Sequence, residues 1–263
     1  VKKSLIFSAI VAMLFSLPAL AEQAQTKDIG KDIGITLQLD YLSQWLSKGA
    51  PAYGEQGAIF STIDLDFWGS GFGLQVIHRN AIGSGYVDKQ RIDYRPYYKD
   101  ILFKDSPYQT NYLISTEYED YYGLNRHRAY TTWEWICSFS WPKLLPEGFT
   151  PTYIVHYEYP AVENDIYSYS SMEGGVHRFI LSYDLKVPEL QNPITLSSEV
   201  AYTDGLGRAD HDWSYAVFGL STNLKINENM TFSPSVYQQV TMDRSVCPRK
   251  DVTYCILSMK YKF

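Results

Sequence analysis

The stretch that decides the fold is Ile35-Thr36-Leu37-Gln38-Leu39-Asp40-Tyr41-Leu42-Ser43-Gln44-Trp45. Ile35, Leu37, Leu39, Tyr41 and Trp45 share one side of a period of two. Thr36, Gln38, Asp40 and Gln44 share the other. Side chains alternate across an extended chain, so this spacing predicts a β-strand with one apolar and one polar face.

The alternation recurs along the chain. Ile59, Ile63, Leu65 and Phe67 oppose Thr62, Asp64 and Asp66, and Gly69-Ser70-Gly71 then supplies a tight turn. Trp133, Trp135, Cys137, Phe139 and Trp141 oppose Thr132, Glu134, Ser138 and Ser140. Twelve candidate strands emerge, starting near Ile35, Ile59, Phe72, Ile92, Tyr108, Thr132, Thr152, Arg178, Ile194, Tyr215, Met230 and Cys255. Pro96 and Pro234 fall inside two of them and weaken those two, because proline offers no N–H to a ladder.

Amphipathic strands suit either a soluble sandwich, apolar side inward, or a membrane barrel, apolar side outward. Three features favour the barrel. No Asp, Glu, Lys or Arg falls on the apolar faces. The connectors alternate, with long ones at 47–57, 80–89, 119–128, 160–174, 203–213 and 241–250 and mostly shorter ones between. Aromatic residues such as Tyr41, Trp45, Trp133, Trp141, Tyr153 and Tyr159 gather near strand ends, where interfacial girdles lie. The expected fold is all-β, a transmembrane antiparallel β-barrel of about twelve strands.

Residues 1–21 read as a cleaved signal peptide. Lys2 and Lys3 precede an apolar run, Pro18 ends it, and Ala19-Leu20-Ala21 supplies the cleavage pattern. Residues 22–32 form a short periplasmic tail, and 33–263 a single barrel domain. The chain carries 23 basic and 29 acidic residues and no basic run, which argues against nucleic-acid binding. Cys137, Cys247 and Cys255 are too few for a disulfide scaffold; a Cys247–Cys255 bridge would need the last loop to fold back.

The final residues, Leu257, Met259, Tyr261 and Phe263, alternate and end on Phe. They resemble the terminal strand of bacterial outer-membrane proteins, and the resemblance implies an assembly signal at Tyr261 and Phe263 read by the barrel-assembly machinery. The segment Leu39-Asp40-Tyr41-Leu42-Ser43, followed by Lys48-Gly49, Pro51-Ala52 and later Gly71-Phe72-Gly73, resembles the TorF-type porin family. Lys48 stands where that family has Arg. The resemblance covers about the first fifth of the mature chain and implies a small porin of the Gram-negative outer membrane, with no catalytic residues carried over.

On the barrel reading the polar faces line a lumen. Its candidates for selectivity are Asp40, Asp64, Asp66, Arg91, Asp93, Arg95, Glu117, Glu134, Glu158, Arg178 and Glu199. Arg79, Lys260 and Lys262 share those faces, and Arg91, Asp93 and Arg95 would oppose Asp64 and Asp66 in a charged constriction. The expected function is passive diffusion of small polar or cationic solutes through an acidic lumen. Two alternatives stay open: a barrel plugged by paired charges that binds partners through its outer loops, and a lipid-modifying enzyme using His78 or His177 beside Ser168, Ser170 and Ser171. No enzyme, cofactor or metal is expected; Asp210-His211-Asp212 offers metal-type side chains without a further ligand. The expected partners are outer-membrane lipid, the assembly machinery, the solutes and further copies in a homo-oligomer.

Overall fold

The computed structural model describes residues 32–263 apart from 84, 86–89, 123–130, 162–172, 189, 248 and 249. The expected signal peptide 1–21, almost all of the tail 22–32, and Ser168, Ser170 and Ser171 lie outside the described residues.

In chain order the strands are β1 (Gly34–Leu42), β2 (Leu46–Ser47), β3 (Ala50–Pro51), β4 (Ala58–Asp66), β5 (Phe72–Ala81), β6 (Arg91–Leu102), β7 (Thr110–Asp120) and β8 (Thr132–Ser140). They continue as β9 (Phe149–Pro160), β10 (Gly174–Leu185), β11 (Ile194–Asp204), β12 (Asp212–Thr222), β13 (Leu224–Lys225), β14 (Met230–Thr241) and β15 (Val252–Lys262). β2 and β3 pair only with each other, and β13 is a two-residue extension beside β14. The other twelve close into one antiparallel ring. Each pairs with its barrel neighbour in the chain, and β1 pairs with β15 from Thr36↔Lys262 to Leu42↔Ile256. Closure satisfies every strand edge internally, which is what a sheet inside a bilayer requires.

The faces are inverted relative to a soluble protein. Leu39 is 53% exposed, Ile63 46% and Phe218 54%, while Asp93 is fully buried. The apolar stripe forms the outside of the ring, and only lipid can cover a continuous apolar belt of this kind. The barrel strands run 9 to 12 residues, the length a tilted strand needs to cross the hydrocarbon core.

Both prolines are accommodated. β6–β7 pairing stops at Tyr94↔Tyr118 and resumes at Tyr97↔Ser115, stepping over Arg95 and the N–H-less Pro96. Pro234 stays in register opposite Leu257. The first strand is shorter than its alternation suggests. β1 ends at Leu42, Ser43 N–H donates to Cys255 O at 2.9 Å, and the chain then turns into the lumen. Trp45, expected on the lipid face, is instead 6% exposed inside. All three cysteines carry free thiols.

Candidate functional site

The site begins with a turn. Leu46 pairs with Pro51 and Ser47 with Ala50, leaving Lys48 and Gly49 as a two-residue hairpin loop. Their φ angles are +50° and +84°, the left-handed pair of a type I′ turn. Gly49 is required for a second reason: a Cβ there would stand 2.4 Å from the Tyr215 ring. Its carbonyl accepts from Gln239 Nε2 at 2.9 Å. The Lys48 backbone is the strained one, since a left-handed residue other than glycine costs roughly 1–2 kcal/mol. Its side chain accounts for the tolerance. Nζ lies 2.7 Å from Glu158 Oε2 and 3.0 Å from Glu134 Oε1. Burial works against this ammonium, and Glu134 and Glu158 outweigh it, so the Lys48 pKa is raised.

The hairpin therefore spans the lumen, touching β8 and β9 through Lys48 and β12 and β14 through Gly49. Its base is an aromatic anchor. Trp45 meets Tyr53 edge-on at 4.8 Å and Phe60 at 5.1 Å, beside Leu42 and Ala58. Tyr53 OH donates to Arg79 O at 3.2 Å. The guanidinium groups of Arg79 and Arg91 each lie 5.1 Å from the Trp45 ring centre, within cation–π distance.

The wall opposite explains why a lysine is needed. Across the ladders from β5 to β9, like charges face one another: Arg79↔Arg91, Asp93↔Glu119, Glu117↔Glu134 and Glu134↔Glu158. Directly opposed like charges destabilise a sheet. Diagonal ion pairs offset them. Arg79 binds Asp93 and reaches Glu117 at 3.2 Å; Arg91 reaches Asp93 at 2.9 Å and also binds Glu119; Arg95 binds Glu117. Thr132 Oγ1 donates to Glu119 at 2.9 Å. These arginines end at Glu117 and Glu119. Glu134 and Glu158, further round, meet Lys48 instead, with His156 Nδ1 2.8 Å from Glu134. The carboxylate oxygens of Glu117, Glu119 and Glu134 lie within 4.8 Å of one another, a spacing that would suit a cation. Protein cations hold all three.

A second pair, Arg178 and Glu199, is bidentate at 2.7 Å and 2.7 Å. Asp40 and Asp66 stand outside this lattice, and Asp64 touches its edge through Gln75, which donates to Asp64 at 3.1 Å and accepts from Arg95 at 3.5 Å. Asp40 accepts from Gln38 at 2.9 Å, Asp64 from Tyr97 OH at 2.8 Å, and Asp66 meets Lys99 at 3.0 Å. Arg91, Asp93 and Arg95 thus do not oppose Asp64 and Asp66 as expected. β5 lies between them, and the β7 carboxylates are nearer. Lys48, Glu119 and His156 join the site without being among the selectivity candidates, and Trp45 faces inward rather than toward lipid. The readable signal was Lys48-Gly49 between short extended pairs, a hairpin-turn pattern.

Other expected residues are placed as follows. Tyr261 and Phe263 meet at 4.8 Å at the β1–β15 seam, where Phe263 N–H donates to Ile35 O at 3.0 Å. On the outer face, His177 Nδ1 lies 2.6 Å from Tyr153 OH, and His78 contacts Tyr122 OH. His211 Nδ1 lies 2.5 Å from Asp204, not from its sequence neighbours Asp210 and Asp212.

One cavity opens beside the hairpin and another lies away from it. The first, about 190 Å³, is lined by Lys48, Arg79, Arg91, Arg95 and Arg178 together with Glu134, His156 and Glu199. The other, about 360 Å³, lies on the short-turn side between Gln38, Asp40, Asn223 and Ser233 and the apolar Leu42, Phe60 and Ile256.

A closed twelve-strand ring, lipid-facing outside and charged inside, defines the class: a membrane-spanning β-barrel of the bacterial outer-membrane type. Solved structures carry the same fold. The NanC porin superposes with a TM-score of 0.54 at 9% identity, over 87% of this chain and 100% of that one. An outer-membrane channel from Pseudomonas putida F1 gives 0.49 at 11% identity, over 91% and 99%. No protein-family model matches the sequence, and no curated protein does.

Proposed function

We propose that the protein is a porin-like channel that passes small polar solutes across the outer membrane, narrowed at mid-barrel by the Lys48–Gly49 hairpin. The observation that carries this reading is an interior that stays hollow, with a charged cavity of about 190 Å³ at the hairpin and a mixed one of about 360 Å³ toward the short turns. A barrel built only as a scaffold gains nothing from water-filled polar space. Kinship with TorF-type porins fits the same picture, since Lys48-Gly49 and Pro51-Ala52 of that resemblance make up the hairpin. Recognition of Tyr261 and Phe263 by the assembly machinery, and a homo-oligomer, belong to the same proposal.

An acidic lumen passing cations is what the carboxylate count alone favours. The geometry argues for the other sign beside the hairpin, because five cations and only two carboxylates line the cavity there. The closed-barrel alternative keeps one observation in its favour. The hairpin tip is tightly seated, Lys48 on two carboxylates and Gly49 against Tyr215.

Liposome swelling tests the reading. Vesicles holding the folded protein should swell in small polar solutes such as glycine and arabinose, with rates falling steeply as solute size grows. Vesicles with verified inserted protein that swell no faster than empty ones would favour the closed barrel.

A further inference from the structure

We infer that the cavity beside the hairpin is a binding site for a small organic anion, a mono- or dicarboxylate. The inference rests on the channel reading and supplies its substrate class.

Charge placement carries it. The network around the cavity holds five cations, Lys48, Arg79, Arg91, Arg95 and Arg178, and six carboxylates. Its net charge is therefore close to zero, but its two signs are layered. Asp93, Glu117, Glu119 and Glu158 stay out of the cavity lining, whereas all five cations line it beside Glu134 and Glu199, and Arg95 and Arg178 are the most exposed of them at 24% and 31%. A solute in the cavity meets five cations against two carboxylates. The paired carboxylates hold the cations in fixed orientations, so little side-chain ordering remains to oppose binding. Arg178 commits Nε and Nη2 to Glu199. A guanidinium has five N–H donors in a planar fork, so donors remain for a carboxylate from the lumen. His156 also lines the cavity, with Nδ1 held on Glu134. A cavity of about 190 Å³ suits a ligand of a few carbons.

The opposite inference, a cation site on Glu134 and Glu199, fails on occupancy. Glu134 already meets Lys48 and His156, and Glu199 receives both Arg178 bonds.

The test uses the refolded barrel in detergent micelles and two probes of equal length and opposite charge, succinate and 1,4-diaminobutane, followed by calorimetry. Succinate should bind and the diamine should not. Glu199→Gln should tighten succinate binding by releasing Arg178. Glu199→Gln combined with Arg178→Gln leaves the net charge of the wild type and strands no carboxylate, yet should weaken binding about tenfold or more, the loss of one charge-assisted contact. Both variants are checked for the folded barrel by heat-modifiable gel mobility. If Arg178→Gln disturbs folding, Arg95→Gln replaces it with the same expected loss. Diamine binding, or no binding of either probe, overturns the inference. Conductance separates the two readings. Succinate binding by a barrel that does not conduct upholds the site and refutes the channel. Conduction without succinate binding does the reverse.

Discussion

At the residue scale the account turns on Lys48. It occupies a left-handed position that few non-glycine residues accept, and two carboxylates hold it there. Lys48→Gln would leave Glu134 and Glu158 without an ammonium. Removing one partner from a buried ion pair costs about 3–5 kcal/mol, and urea unfolding in micelles should register a loss near the low end, because the lumen supplies some water. Lys48→Arg keeps the charge and should lose far less. The pH dependence has a definite sign. The folded-state pKa is raised above the ordinary 10.5, so the stabilisation is complete below that value and is lost only as pH rises through the higher folded pKa. Unfolding midpoints of wild type and Lys48→Gln should therefore keep a constant separation from pH 7 to pH 9. Gly49→Ala is the complementary probe. It places a methyl group 2.4 Å from Tyr215 at a φ of +84°, and a loss of about 1–3 kcal/mol is expected in the same assay.

At the element scale the strands were legible because alternation is a local property. Ile35 to Tyr41 needs no tertiary information to be read as extended, and one face must avoid water whichever way the sheet closes. The end of β1 was not legible. Trp45 fits the outward parity, and only the Ser43 contact with Cys255, on the far end of the chain, shows where the strand stops. The diagonal pairing was hidden for a related reason. Arg91, Asp93 and Arg95 announce a charged face, but their partners on β5 and β7 depend on registers that sequence does not print. The lipid assignment of the apolar faces is testable strand by strand. Leu37 and Leu181 are mid-strand and outward, 40% and 38% exposed. Leu37→Arg or Leu181→Arg should each weaken folding into bilayers by about 2–4 kcal/mol, the cost of an arginine near the midplane. Harmless arginines at both sites would mean that the faces are reversed.

At the scale of the whole molecule, one arrangement links fold and function. A ring of amphipathic strands must put its polar faces somewhere, and closure puts them all in one lumen. The β8–β9 wall then carries two carboxylates, Glu134 and Glu158, and no arginine to balance them. The hairpin between β1 and β4 brings the missing cation, and in doing so it narrows the lumen to a cavity edged by guanidinium groups. The sequence showed the inventory of these charges. It did not show that most of the acids would be withdrawn from the cavity that the cations line, because that depends on which side chains reach furthest across a closed ring.

Single-channel conductance in planar bilayers tests this arrangement most directly, comparing the wild-type barrel with a variant in which Leu46–Pro51 is replaced by two glycines. The account predicts small discrete steps for the wild type and clearly larger ones for the variant, both scaling with salt. Equal conductance from the two, or silence from both when insertion is verified, would contradict it.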